Sequence, residues 1–229
     1  MNLLLFDIDG TLIQANGAGK IALIEALNIV FGTAGPVKHY NMGGKTDPAI
    51  ITDLMTAAGR SPAEIEAGLP QVYAETAKAG QRRFATAGIR PCPGVLELLV
   101  ALSQETEVLL GLVTGNVREV APMKLMAAGI DPAQFPVGAY GSDHADRNLL
   151  PALALSRAMA YTGRNSPPTR IVIIGDTPAD ILCARAGQAI AVAVATGTYS
   201  CEALAQHRPD HLLPSLVNTQ AALTALLGR

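Results

Sequence analysis

A chain of 229 residues suits one α/β domain, or one domain with a small insertion, and is long enough to bury a sizeable core. Hydrophobic residues make up 49% and charged residues 16%, with a net charge of −2, which argues against disorder and supplies neither a basic face for nucleic acid nor an acidic tail. The early apolar run Leu3–Phe6 is too short for a membrane span and lacks the flanks of a signal peptide, so the expectation is a soluble, cytoplasmic protein with no membrane and no nucleic-acid partner.

Leu3–Ile8 reads as a buried strand ending in a carboxylate, followed by a turn at Gly10. Ile21, Ile24, Leu27 and Phe31 recur at helical spacing and predict one buried helix face, broken by Gly32–Gly35 and Pro36. The stretch 46–88 is helical in pattern. Within it Ser61-Pro62-Ala63-Glu64 is a helix start, with Ser as N-cap, Pro at the first position and Glu three residues on. Pro91-Cys92-Pro93-Gly94 marks a hinge or helix start. Beyond it the spacing predicts a helix over Val95–Leu102, a strand over Val108–Val113, a helix over Arg118–Ala128 stopped by Gly129, and a short strand over Pro136–Tyr140. A helix over Leu149–Tyr161 follows, then a strand over Ile171–Ile174, a helix over Ala179–Ala186, a strand over Ala189–Ala195 and a short last strand over His211–Leu213. Strands alternating with helices predict an α/β fold with a doubly wound, Rossmann-like parallel sheet, whose ligands sit beyond the C-terminal strand ends. The helical stretch after the first strand reads as an inserted cap, giving a core of residues 1–15 and 89–229 and a cap of 16–88.

The strand ends carry the chemistry. Asp7 and Asp9 stand two apart at the first, followed by Gly10 and Thr11; the second ends in Thr114, Gly115 and Asn116; the third clear strand ends in Gly175 and Asp176. Clustered carboxylates are costly to bury unless a divalent cation compensates them. One aspartate can then attack phosphorus while the other serves as general acid and base. The three cysteines, Cys92, Cys183 and Cys201, are scattered and fit neither a zinc site nor a disulfide framework. His207 and His211 flank Pro209, which argues against the helix their spacing would need to hold a metal.

In this order Asp7-Ile8-Asp9-Gly10-Thr11-Leu12, Val113-Thr114-Gly115-Asn116 and Gly175-Asp176-Thr177-Pro178-Ala179-Asp180 resemble the first, second and fourth motifs of the haloacid dehalogenase superfamily, in its phosphoglycolate-phosphatase-like branch. The resemblance spans the whole chain. It implies a magnesium-dependent phosphatase with Asp7 as nucleophile and Asp9 as general acid/base. Thr114 would hold a phosphoryl oxygen, with Gly10, Thr11, Gly115 and Asn116 at the substrate. Mg2+ would sit on Asp7, Asp9 through its backbone carbonyl, and Asp176, with Asp180 behind them. The superfamily's third motif usually supplies a Lys before Pro, and no Lys-Pro occurs here. Arg147, ahead of a helix in the right interval, is the proposed substitute; Lys124, mid-helix and expected to be solvated, is the competitor. Asp143, His144 and Asp146 beside it read as a polar loop. In the cap, Gly43-Gly44-Lys45-Thr46-Asp47-Pro48 resembles loops that reach over the site, so that Lys45 and Thr46 either contact substrate or simply start a helix. The implied partner is a small phosphorylated metabolite, and no feature sets an oligomeric state. Sugar phosphomutase, phosphonate hydrolase (through Lys20 or Lys45) and a silent binding module on the same fold are the alternatives.

Overall fold

The computed structural model describes residues 1–229. Six parallel strands form one sheet. They are β1 (Asn2–Phe6), β4 (Val108–Val113), β5 (Val137–Ala139), β6 (Arg170–Gly175), β7 (Ile190–Val194) and β8 (His211–Leu213), in the order β5-β4-β1-β6-β7-β8. The short strands β2 (Ile13–Gln14) and β3 (Arg90–Pro91) pair antiparallel on their own. From β1 the chain steps outward to β4 and β5, then recrosses to β6 on the other side of β1. That reversal brings the C-terminal ends of β1, β4 and β6 together, the place where such sheets bind ligands.

Alternation along the strands builds a core on both sheet faces, because successive side chains point to opposite sides. Leu4, Phe6, Leu112, Val172, Ile174, Val192 and Val194 pack on one face. Leu3, Leu5, Leu109, Val113, Ile173, Ala191 and Ala193 pack on the other. Helices cover both: α4 (Val95–Ser103), α5 (Ala121–Ala127) and α9 (Thr219–Leu227) on the first, α6 (Leu150–Thr162) and α7 (Pro178–Ala186) on the second. The small α8 (Cys201–Ala205) and α9 extend the elements read from sequence; each begins at a polar cap, Ser200 and Asn218 respectively. No helix is long and apolar enough to cross a membrane.

Between β2 and β3 lie α1 (Ala18–Phe31), α2 (Asp47–Ala57) and α3 (Pro62–Arg83). They share an apolar cluster that includes Leu23, Leu27, Phe31, Ile51, Leu54, Met55 and Val72. The capping box at Ser61 forms as expected, with Ser61 accepting from the Glu64 N–H and Glu64 accepting from the Ser61 N–H. Most element ends shift by a residue or two from the sequence expectation, and two differences have a clear physical reason. The buried face of α1 is Ala18, Ala22, Leu23, Ala26, Leu27 and Phe31, and Ile21 is 50% exposed. Small alanines let α1 lie close along α3, so they take the interface positions that spacing assigns to Ile21. The helix expected from Arg118 begins at Ala121, because residues 117–120 form a turn in which the Arg118 N–H donates to Ser142 Oγ.

Candidate active site

The carboxyl end of β1 delivers Asp7, whose N–H donates to Ile174 O of β6 at 2.9 Å. Three residues on, Gly10 turns the chain with φ +88°, and a side chain there would collide with the Asp176 carboxylate. Asp176 follows β6, and Asp180 lies in the first turn of α7, where it closes a capping box with Thr177. Asp7, Asp176 and Asp180 are all buried, and their oxygens lie within 4.8 Å of one another. Thr11 is fully buried and donates its hydroxyl to Asp176 Oδ1 at 3.2 Å, so it supports this cluster instead of facing a substrate.

Arg147, 7% exposed, is the cation of this group. Its Nη2 lies 3.1 Å from Asp7 Oδ1 and 2.5 Å from Asp180 Oδ1. Burial pushes the Asp7 carboxyl up to about 6, with Asp180 and Asp9 adding to the rise and Arg147 opposing it. Burial, then Asp180 and Asp7, push Asp176 up to about 8. Burial works against the guanidinium charge, but Asp180 and Asp7 outweigh it and hold Arg147 protonated. Three carboxylates against one guanidinium leave two surplus negative charges when all are ionised. An all-oxygen donor set with that surplus fits a hard divalent cation. Arg147 Nε is the one buried side-chain nitrogen or oxygen without a partner.

A second cluster occupies the end of β4. Asn116 donates through Nδ2 to Asp9 Oδ2 at 2.7 Å and to Thr114 Oγ1 at 2.8 Å. Lys124, expected to be solvated, is 4% exposed, and its Nζ meets Asp9 Oδ2 at 2.7 Å and Asn116 Oδ1 at 2.6 Å. The physical reason lies in the periodicity. Val117, Val120, Ala121, Lys124, Leu125 and Ala128 follow helical spacing and are all buried, so Lys124 stands on the apolar stripe of α5. That stripe was legible in the sequence, and a lysine on it must find partners.

The loop before α2 closes over this end of the sheet. The Asp47 N–H donates to Gly115 O at 2.8 Å, and Asp47 Oδ2 accepts from the Val117 N–H at 2.9 Å. Gly115 permits the approach, since a side chain there would strike the Lys45 carbonyl. Burial pushes the Asp47 carboxyl up to about 6, against the pull of Lys124. In the sequence Asp47 stands out only as a member of the loop Gly43–Pro48. Thr46 does cap α2, accepting from the Ala49 N–H, and donates to Ala145 O at 2.6 Å. Lys45 is exposed and turned to Asp53, 2.9 Å away, and to the Tyr40 hydroxyl. Thr46 thus belongs to the helix start, while Lys45, though paired at the surface, also borders the cavity beneath this loop.

A cavity of about 310 Å³ joins the clusters, lined by Asp7, Asp9, Gly10, Thr114, Asn116, Lys124, Arg147 and Asp176 from below and by α1, the loop and Thr76 from above. Asp143 lies outside it, held by Arg157 and Arg118, and Asp146 caps the turn at Arg147, so this segment is a polar loop. His211 lies in β8 and His207 precedes it outside any helix, so their spacing gathers no metal site. All three cysteines are free; the Cys183 thiol donates to Arg147 O.

Residues 4–185 match the family model of the haloacid dehalogenase-like hydrolases. Pyrophosphatase PpaX of Bacillus pumilus (strain SAFR-032) is 26% identical over 228 residues, 98% of this chain and 97% of that protein. A hydrolase from Pseudomonas syringae superposes with a TM-score of 0.73 at 22% identity, covering 97% of this chain and 98% of its own. A predicted phosphoglycolate phosphatase from Haemophilus somnus 129pt does so with a TM-score of 0.67 at 21% identity and 96% coverage of each chain.

Proposed function

The chain belongs to the haloacid dehalogenase-like hydrolases, and on that premise we propose that it is a magnesium-dependent phosphatase acting on a small phosphorylated metabolite through an aspartyl-phosphate on Asp7. The observation that carries this reading is Arg147, a buried guanidinium at the cavity wall whose Nη2 pairs with Asp7 Oδ1. A guanidinium beside the nucleophile can hold carboxylate and phosphoryl oxygen together. Arg147 thus takes the place of the missing third-motif Lys.

Asp7, the Asp9 carbonyl and Asp176 would hold Mg2+, with Asp180 fixing Arg147 behind them; the ion supplies charge neutralisation for the phosphoryl group and the nucleophile. The Asp7 carboxylate attacks phosphorus, and the bond from phosphorus to the leaving oxygen breaks. Protonated Asp9 gives that oxygen its proton. Ionised Asp9 then takes a proton from water, which attacks phosphorus and breaks the bond to Asp7. Inorganic phosphate leaves, and the Asp7 carboxylate is restored. Thr114 Oγ1, oriented by Asn116, is placed to hold a phosphoryl oxygen, and Gly10 and Gly115 line the same space. We read residues 16–88 as a cap over a core of 1–15 and 89–229, with its loop supplying the roof of the cavity.

Magnesium-dependent phosphate release from para-nitrophenyl phosphate by the wild type and by Asp7→Asn tests the reading. Release should disappear with EDTA and fall more than about a thousand-fold in the variant, as removal of a nucleophile does. Activity retained in Asp7→Asn sinks the mechanism. Inorganic pyrophosphate and phosphoglycolate, the substrates named for the two relatives, come first in the metabolite panel.

A further inference from the structure

The phosphatase reading accounts for Arg147 and leaves the second buried cation without a task. Lys124 is not a duplicate of Arg147: its ion pair is with Asp9, and its hydrogen bonds go to Asp9 and Asn116. Nor is it packing material, because an ammonium on an apolar stripe costs several kcal/mol unless its partners repay desolvation.

The three side chains form a closed triangle. Lys124 Nζ donates to both Asp9 Oδ2 and Asn116 Oδ1, and Asn116 Nδ2 donates to the same Asp9 Oδ2. One oxygen of Asp9 is therefore fixed by two donors from the end of β4 and from α5, which leaves Oδ1 as the atom free to handle a proton. The triangle also orders Asn116, whose amide holds the Thr114 hydroxyl. Overhead the structure leaves room for Lys124 at one point: a side chain at Gly19 of α1 would lie 2.6 Å from Nζ. Asp9 itself has a side chain 37% exposed, and what holds it are these two side-chain donors. Such a carboxylate needs an external brace to remain within reach of a leaving oxygen.

We propose that Lys124 is the positioning residue of Asp9, holding Oδ2 so that Oδ1 faces the leaving-group oxygen. The inference rests on the phosphatase reading and adds a residue to it. Lys124 touches no reacting atom; it acts through Asp9.

A series of phenyl phosphates of graded leaving-group acidity tests this. A general acid matters for poor leaving groups, where it contributes about 10²–10⁴-fold, and hardly at all for good ones. Lys124→Met should therefore cut kcat/KM, which reports the phosphorylation of Asp7 alone, by roughly 10- to 100-fold on phenyl phosphate, yet change it less than about 3-fold on 2,4-dinitrophenyl phosphate. The dependence of rate on leaving-group acidity should steepen as it does in Asp9→Asn. Lys124→Gln, which keeps a donor without the charge, should fall between wild type and Met. In the Asp9→Asn background, adding Lys124→Met should change kcat/KM on phenyl phosphate little, because residues that act through one another do not add. Equal losses on every leaving group, or losses that add to those of Asp9→Asn, overturn the assignment and leave Lys124 a structural or substrate-binding group. A wild type inactive on the entire series overturns the phosphatase reading itself, and the role of Lys124 with it.

Discussion

The two buried cations live in different electrostatic company. Arg147 faces Asp7 and Asp180, with Asp176 alongside, and remains outnumbered. Lys124 faces Asp9 and the neutral Asn116, with Asp47 acting on it from above. The first cluster carries surplus negative charge that a divalent cation can offset. The second is close to neutral and satisfied by the protein alone. The same cavity thus holds one end with surplus negative charge and one end whose cation and carboxylate the protein itself pairs.

Removing each cation sharpens the contrast. Arg147→Met leaves buried carboxylates unpaired and should cost about 3–5 kcal/mol in urea unfolding of the metal-free protein. Lys124→Met leaves Asp9 a partly open carboxylate that water can reach, so about 1 kcal/mol is expected. Equal losses would show that the two ends are not distinct.

A smaller effect follows from protonation at the Arg147 end. Asp7 keeps its proton up to about 6 and Asp176 up to about 8 in the folded chain, whereas an unfolded aspartate releases it near 4. Between about 4 and 8 the folded protein therefore binds more protons, and its stability falls as pH rises. The thermal midpoint of metal-free protein should drop between pH 5.5 and 8, and the stabilisation by added Mg2+ should grow over the same range. A metal-free midpoint that climbs with pH would mean that these acids are ionised throughout. Least of all, Lys45→Met should shift stability by less than about 0.5 kcal/mol, since its pair with Asp53 is exposed; a larger loss on urea titration would reveal a load on the loop.

Sequence and structure agree most where an apolar run ends abruptly in polar residues. Asp7, Thr114 and Asp176 are legible because three buried strands must each finish at the same edge. Arg147 was found by its place in the order of motifs, and the geometry brings it to Asp7. Lys124, named as the competitor of Arg147, was misread only in its expected solvation: a helix drawn from Arg118 turns attention outward, whereas the stripe from Val117 to Ala128 places position 124 inside. Thr11, Lys45 and Thr46 show the converse: polar residues beside a motif, whose hydroxyls and amine have structural partners that no spacing reveals. The face of α1 was misread because alanines at 18, 22 and 26 carry the close helix contact while contributing little to an apolar count.

The two-residue pairing of β2 with β3 has a further consequence. Ile13 lies opposite Pro91 and Gln14 opposite Arg90, and Asn16 Nδ2 holds Gly88 O at 2.7 Å just beyond. The chain therefore departs from the sheet and returns to it at neighbouring points, about 5 Å apart as paired strands are. None of the six strands lies between these points, so the residues they bracket take no part in the sheet's hydrogen-bonded register. In engineering terms the pair is a keyed socket: Ala18, Ala22 and Ala79 pack into the same core as the sheet and the Asp47 N–H is held by Gly115 O, so any other insert joined at Gln14 and Arg90 would have to supply those contacts.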